Sequence, residues 1–390
     1  EAFPLFSPRS RFTDDTVMTV AVARGLMQAY GQEQACREAF IDAMHEYGRA
    51  YSRAGYGQRF FRWIVTGSRE PYNSFGNGSA MRVSPVGWAC DSLEETERYA
   101  ALSASVTHDH PEGIKGACAT AAAIFLARDG AGRDAIRDYV SFRYGYDLAR
   151  SLAEIRPAYR HKESCQESVP EAIIAFLESR SFEEAVRNAV WLGGDSDTQA
   201  AIAGSIAEAF YGGVPQELRE AALARLDDRL RGDVAAWYHW LSEHRGIRLD
   251  RKADPVQEQK TAVSATGRDI METMPKAGMT GQWETTVEEG LLAAQVGSGE
   301  VRVLATPMMI MGMERAAMEA VRPCLPEGMT SVGTRVDISH MAPTPCGMKV
   351  RFEAKLTAVS ANGRGLTFTV TAYDEAGPIG EGTHERVVVD

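Results

Sequence analysis

The 390-residue chain has no apolar run near the ~18 residues that a membrane-spanning helix needs, so no membrane role is expected. No secretory signal pattern is visible, and the chain as written opens on Glu1 rather than Met. Positive charge is in short supply. The 42 Lys and Arg stand against 53 Asp and Glu, a formal net charge of −11, and no basic cluster is long enough to follow a polyanion. That balance argues against general nucleic-acid binding. Cysteine is sparse and scattered: Cys36, Cys90, Cys118, Cys165, Cys324 and Cys346 show no C-x-x-C spacing. Neither a zinc site nor a disulfide framework is expected from them, and a reduced, cytoplasmic setting is. Internal repeats are absent as well.

What is present divides into two texts. Up to about residue 245 the pattern is helical, with alanine-rich amphipathic stretches at 16–30, 33–53, 93–106, 112–128, 169–178, 182–191, 197–211 and 216–242. Gly and Pro punctuate the joins, and strand-like alternation is nearly missing, so residues 1–245 read as an all-α domain. Residues 246–279 are polar and weakly periodic, which reads as a linker. From 280 to 390 the pattern inverts. TSVGTRVDISHM, MKVRFEAKLTAVS and GLTFTVTAYDEAG alternate at period two, and Asn362-Gly363 marks a hairpin turn between the last two. A single long helix, TPMMIMGMERAAMEAV, precedes them, with Thr306 expected as its N-cap and Pro307 in the first helical position. One helix beside an antiparallel sheet is an α+β domain. The four methionines from Met308 to Met313 read as core packing.

Two helix starts in the first text carry more acid than a cap requires. In LGGDSDTQAAIAGSIAEAFYG, Asp195 and Asp197 precede Thr198; in RFTDDTVMTVAVARGL, Asp14 and Asp15 follow Thr13. One aspartate satisfies a helix N-terminus, and the second is surplus. If the two starts meet, four carboxylates share a site and repel one another unless a hard divalent cation joins them. The Gly-rich run NSFGNGSAMRVSP offers backbone N–H groups suited to a phosphate. In SVTHDHPEG, the pair His108 and His110 reads first as solvated or capping.

The set FTDDT, SFGNGSAMR, THDHPEG and GGDSDT, in this order, resembles the ADP-ribosylglycohydrolase family over roughly residues 3–245. The resemblance implies an all-α fold around a two-ion Mg²⁺ or Mn²⁺ centre. Its ligands would be Thr13, Asp14, Asp15, Asp195, Asp197 and Thr198, the aspartates also being catalytic. Ser74, Phe75, Gly76, Asn77 and His108 match positions around a bound ADP-ribose. The implied reaction is hydrolysis of a glycosidic bond in an ADP-ribosylated protein or small molecule. Alternatives are an ADP-ribose-binding module without hydrolysis, or a structural, crystallin-like member. The family also carries a glutamate at the metals upstream of FTDDT, a position that precedes Glu1.

In the second text, Glu314 has Ile310, Met311, Ala317 and Met318 three and four residues away, a carboxylate within an apolar stripe. His340 ends an alternating strand. LATPMMIMGMERAAMEAV, SVGTRVDISHMAPTP and GEGTHERVVV resemble fluoroacetyl-CoA thioesterase and its hotdog-fold relatives over about residues 280–390. The resemblance implies a triad of Thr306 as nucleophile or water-positioner, His340 as general base and Glu314 orienting it. Gly333 and Arg386 match acyl-CoA-binding positions, and a homodimer through the hotdog domain is implied. The relatives' gate of two phenylalanines corresponds to Gly297 and Glu300 here, so a general short acyl-CoA is the expected substrate. The expectation for the whole chain is a bifunctional hydrolase.

Overall fold

Alanine-rich text winds into helices because alanine loses no side-chain entropy there, and burial of one face then fixes each helix in place. The structure, a computed structural model, describes residues 3–247 and 274–389. Its contacts divide the chain into two compact units, Glu1–Gly267 and Arg268–Asp390. Most of the expected linker, residues 248–273, lies outside the described residues. Residues 278 and 279 pair with β-structure instead of continuing it: Gly278 N–H donates to Leu356 O at 2.8 Å, and Leu356 N–H returns to Met279 O at 2.8 Å.

The first unit is helical among its described residues. Its centre is the Pro111–Arg128 helix, buried without interruption from Gly116 to Ala127, as expected for a helix apolar all round. The Leu93–Ser105, Ser84–Ala89, Cys165–Leu177 and Ser196–Tyr211 helices pack about it. Three local expectations need correction. The 216–242 stretch is two helices, Gln216–Leu223 and Asp228–Arg245, because Asp227 caps a new start by accepting Leu230 N–H at 2.9 Å. Helices Gln58–Thr66 and Arg133–Tyr144 escaped the sequence pattern. The first of these is built from aromatic and β-branched residues of low helix propensity, and it is held by burying Phe60, Trp63 and Ile64.

In the second unit, five antiparallel strands form one sheet in the order β1-β3-β4-β5-β2. They are β1 (Thr280–Thr286), β2 (Thr330–His340), β3 (Lys349–Val359), β4 (Gly365–Asp374) and β5 (Gly377–Val389). β1 and β5 were not foreseen, and Gly363 sits at φ 72° in the expected β3–β4 turn. The Thr306–Val321 helix lies across the sheet, against the alternate residues Val350, Phe352, Ala354 and Leu356 of β3 and Leu366, Phe368 and Val370 of the neighbouring β4. Its N-cap is Ala305 rather than Thr306, which is the first helical residue. Only Met309 and Met313 of its five methionines are buried; Met308 and Met311 are half-buried and Met318 is exposed.

Helix and sheet meet most closely at Gly281, where a Cβ would stand 2.1 Å from Ala316 O and 2.4 Å from Ala320 N. Both are backbone atoms, so neither side yields easily. Gly281→Ala is expected to destabilise this unit by about 2 kcal/mol or more. Hydrogen exchange checks it: protection should fall over β1 and the Thr306–Val321 helix and stay unchanged over the Pro111–Arg128 helix.

Candidate functional site

Two helix N-termini face one cavity of about 580 Å³ in the first unit. The Asp14–Ala29 helix begins with Asp14 and Asp15, and the Ser196–Tyr211 helix begins beside Asp195 and Asp197. The chain reaches the second start through Gly193 and Gly194, both at positive φ, and a Cβ on Gly194 would lie 2.7 Å from the Tyr159 ring. Glycine is therefore required in GGDSDT.

Asp195 occupies the N-cap position, yet its side chain does not cap the helix. Its Oδ2 accepts from Asn77 Nδ2 at 2.8 Å, which ties the glycine-rich loop to the acidic start. Thr13 likewise leaves its helix uncapped and donates its hydroxyl to Asp15 Oδ2 at 2.9 Å. Asp15 is buried, and its Oδ1 has no partner. Among the described residues none of the four carboxylates makes a salt bridge. Burial, aided by the charges of Asp197 and Asp195, pushes Asp14 up to about 6. Burial, followed by the charge of Asp197, pushes Asp15 up to about 7. Asp195 is raised too, by burial first. Thr198 is buried beside them, and every donor offered is a hard oxygen. Among the described residues no three His, Cys, Asp or Glu side chains already form a metal cage. Like charges without a counter-ion have reason to stand apart.

The other end of the cavity gathers Ser74, Gly76, Asn77 and His108. Phe75 is exposed, its ring edge-on to His110 at 5.4 Å. His110 is a cap: its Nδ1 accepts Glu112 N–H at 3.1 Å. His108 is buried, and desolvation together with Arg82 and Arg59 holds it well below the usual histidine range. Its Nε2 lies 3.2 Å from where a Cβ on Gly78 would stand. The loop's backbone is less free than its glycines promised. Gly76 N–H donates to Ser74 Oγ at 3.2 Å, and Asn77 N–H donates to Glu163 O at 2.7 Å. Sequence reasoning passed over Arg59, Tyr72 and Arg82, which also line the cavity. Arg82 was visible at the end of SFGNGSAMR, whereas nothing in the local pattern marks Arg59.

In the second unit, Thr306 Oγ1 and His340 Nδ1 are 2.8 Å apart, and His340 Nε2 is buried without a partner. Glu314 is elsewhere in the same chain. Eight residues along the helix place it about 12 Å from Thr306. It faces His384, with Glu314 Oε1 3.9 Å from His384 Nε2. It also faces Gly333, where a Cβ would stand 2.7 Å from the same oxygen. Arg386 is buried in this group, donating to Ser331 Oγ at 3.0 Å and to His384 Nε2 at 2.9 Å. Within one chain, then, Thr306 and His340 form one cluster and Glu314, Gly333 and Arg386 another.

Comparison with known proteins agrees with this division. Residues 2–253 match the ADP-ribosylglycohydrolase family model, and residues 287–390 match that of the fluoroacetyl-CoA-specific thioesterase. ADP-ribosylhydrolase ARH3 of Homo sapiens is 29% identical over 267 residues, covering 52% of this chain and 71% of that protein. Its counterpart in Mus musculus is 28% identical, covering 52% and 70%. The fluoroacetyl-CoA thioesterase of Streptantibioticus cattleyicolor is 42% identical over 87 residues, which span 22% of this chain and 61% of that enzyme. No described helix is long and apolar enough to cross a membrane. The chain belongs to the ADP-ribosylglycohydrolase family: it is a hydrolase in which an all-helical domain of that family is followed by a hotdog domain of the fluoroacetyl-CoA-specific thioesterase type.

Proposed function

We propose that the first unit hydrolyses the glycosidic bond of ADP-ribosylated substrates with divalent-cation help. The observation that carries this reading is the convergence of Asp14, Asp15, Asp195 and Asp197 on one cavity with a buried, unpartnered Asp15 Oδ1. An all-oxygen, strongly anionic donor set fits two Mg²⁺ or Mn²⁺ ions, which the four aspartates with Thr13 and Thr198 would hold. Such ions supply charge neutralisation at ribose oxygens and a more acidic water. The chain's own residues do the placing. Asn77 fixes Asp195, Thr13 fixes Asp15, and the Ser74–Asn77 loop with His108 lines the space for the rest of the ligand.

We further propose that the second unit hydrolyses a short acyl-CoA as a homodimer. Thr306 and His340 supply hydroxyl and base, and their partner carboxylate is absent from their own cluster. The outer edge of β2 is unpaired among the described residues and exposes Val332, Val336 and Met341 near it, a surface a second copy would cover.

Two expected outcomes follow. Asp14 and Asp15 titrate above their unfolded values, so without a cation the unfolded state binds fewer protons and stability falls as pH rises from about 4 to about 7. With chelator present, melting should therefore worsen over that range by more than it does in Asp15→Asn. Added Mg²⁺ should raise the melting temperature most at about pH 8, and Asp15→Asn should lower ADP-ribose release about 10²-fold or more. A Mg²⁺ effect indifferent to pH and to that substitution contradicts the reading. For the second unit, His340→Ala should slow thiol release from acetyl-CoA by about 10²–10⁴-fold. Val336→Lys should yield a monomer by light scattering with the same loss, while ADP-ribose release persists in both. A monomeric wild type with full thioesterase activity would overturn the dimeric site.

A further inference from the structure

Phosphate recognition by the glycine-rich loop was expected from its backbone, and the Gly76 and Asn77 N–H groups are already spent within the chain. What this end of the cavity offers instead is side-chain charge. Arg82 is 1% exposed and donates through Nη2 to Ser103 O at 2.9 Å and to Thr107 Oγ1 at 2.8 Å. Its Nε–H has no partner, and no carboxylate pairs with it among the described residues. A buried guanidinium without a counter-charge is expensive to keep. Burial lowers it to about 10, which still leaves it charged at neutral pH. Arg59 lies over the Tyr72 ring at 5.0 Å and donates to Tyr72 O, again with no carboxylate partner among the described residues.

Thr107 converts the Arg82 charge into a proton position on His108. Its hydroxyl oxygen accepts from Arg82, and among the described residues the one acceptor within bonding distance of the hydroxyl is His108 Nδ1 at 2.8 Å. Sending the hydroxyl proton to Nδ1 is the arrangement that leaves this buried donor satisfied, and it keeps the imidazole's own proton on Nε2. That N–H is aimed at the Gly76–Gly78 loop. The groups around His108 maintain its neutrality. Arg82 and Arg59 repel a second proton, and the Tyr72 ring stands 5.8 Å away. On its own loop Asp109 is turned to Asn73 N–H at 2.6 Å, and His110 to Glu112 N–H.

We propose that Arg82 and Thr107 are positioning residues that hold His108 as a neutral Nε2–H donor toward the glycine loop. With Arg59, they make this end of the cavity a site for a diphosphate. The inference rests on the ADP-ribose reading of the cavity and names what in this chain recognises the ligand's anionic part. It is tested on the full chain by calorimetry with ADP-ribose, ADP and adenosine, and by ¹⁵N spectroscopy of histidine-labelled protein. Thr107→Val should weaken ADP-ribose and ADP about tenfold, leave adenosine unchanged and disturb the Nε2–H signature of His108. Thr107→Ser, which restores the hydroxyl, should recover both the affinity and the signature. Arg59→Gln, an exposed change that spares the fold, should also weaken ADP about tenfold without affecting adenosine. The proposal is overturned if Thr107→Val binds ADP like wild type, or if Thr107→Ser fails as badly as Thr107→Val. If wild type binds neither ADP-ribose nor ADP, the reading of the cavity falls with it. Wild-type binding with indistinguishable variants removes this inference alone.

Discussion

Four carboxylates at two helix starts repel each other, and the arrangement of the first unit is built around tolerating that repulsion. Helix N-termini are suited to the task, since their unpaired N–H groups and dipoles favour negative charge. They are not sufficient here, because Asp195 declines to cap its helix and Asp14 and Asp15 are still driven up in pKa. Neutral donors take part of the load: Thr13 on Asp15 and Asn77 on Asp195. The remainder, including the unpartnered Asp15 Oδ1, is what a hard cation would relieve. At the cavity's other end the imbalance is reversed, with Arg82 and Arg59 lacking anions among the described residues. One cavity thus carries a negative pole and a positive pole. A ligand that bears sugar hydroxyls at one end and phosphates further along meets both.

The second unit shows a different kind of incompleteness. Its helix and sheet close well on each other through Gly281 and Phe352, so the fold needs nothing more. The residues proposed to react do not close: Thr306 at the start of the helix meets His340 at the end of β2, and Glu314 lies two turns on, facing His384 and Arg386. A carboxylate fixed on a rigid helix cannot swing about 12 Å to join them. In the proposed homodimer, the exposed β2 edge would bring a second copy's helix near.

Much of this was legible in the sequence, for identifiable reasons. The Thr306–Val321 helix was visible in full because a proline start and a continuous apolar face bound it, although its cap was placed one residue late. D-x-D-T and T-D-D-T announced themselves by excess, since one aspartate is all a helix start uses. Two things were hidden. Gln58–Thr66 has weak helix propensity and only one short i, i+3, i+4 apolar set, Phe60, Trp63 and Ile64, so it was overlooked, and Arg59 with it. The partners of backbone N–H groups are set by tertiary contacts such as Asn77 to Glu163, so the glycine run looked like a freer anion cradle than it is. Arg82 was in plain view, but only the fold shows that it is buried without a counter-ion.

The central claim is that the two acidic helix starts form one cation centre. Diffraction from crystals of the full chain grown with Mn²⁺, recorded at the manganese edge, tests it most directly. The account predicts anomalous peaks between Asp14 and Asp15 on one side and Asp195 and Asp197 on the other, absent from Asp15→Asn crystals. Manganese bound elsewhere, or a cavity whose carboxylates stay apart and unbridged at saturating Mn²⁺, would contradict it.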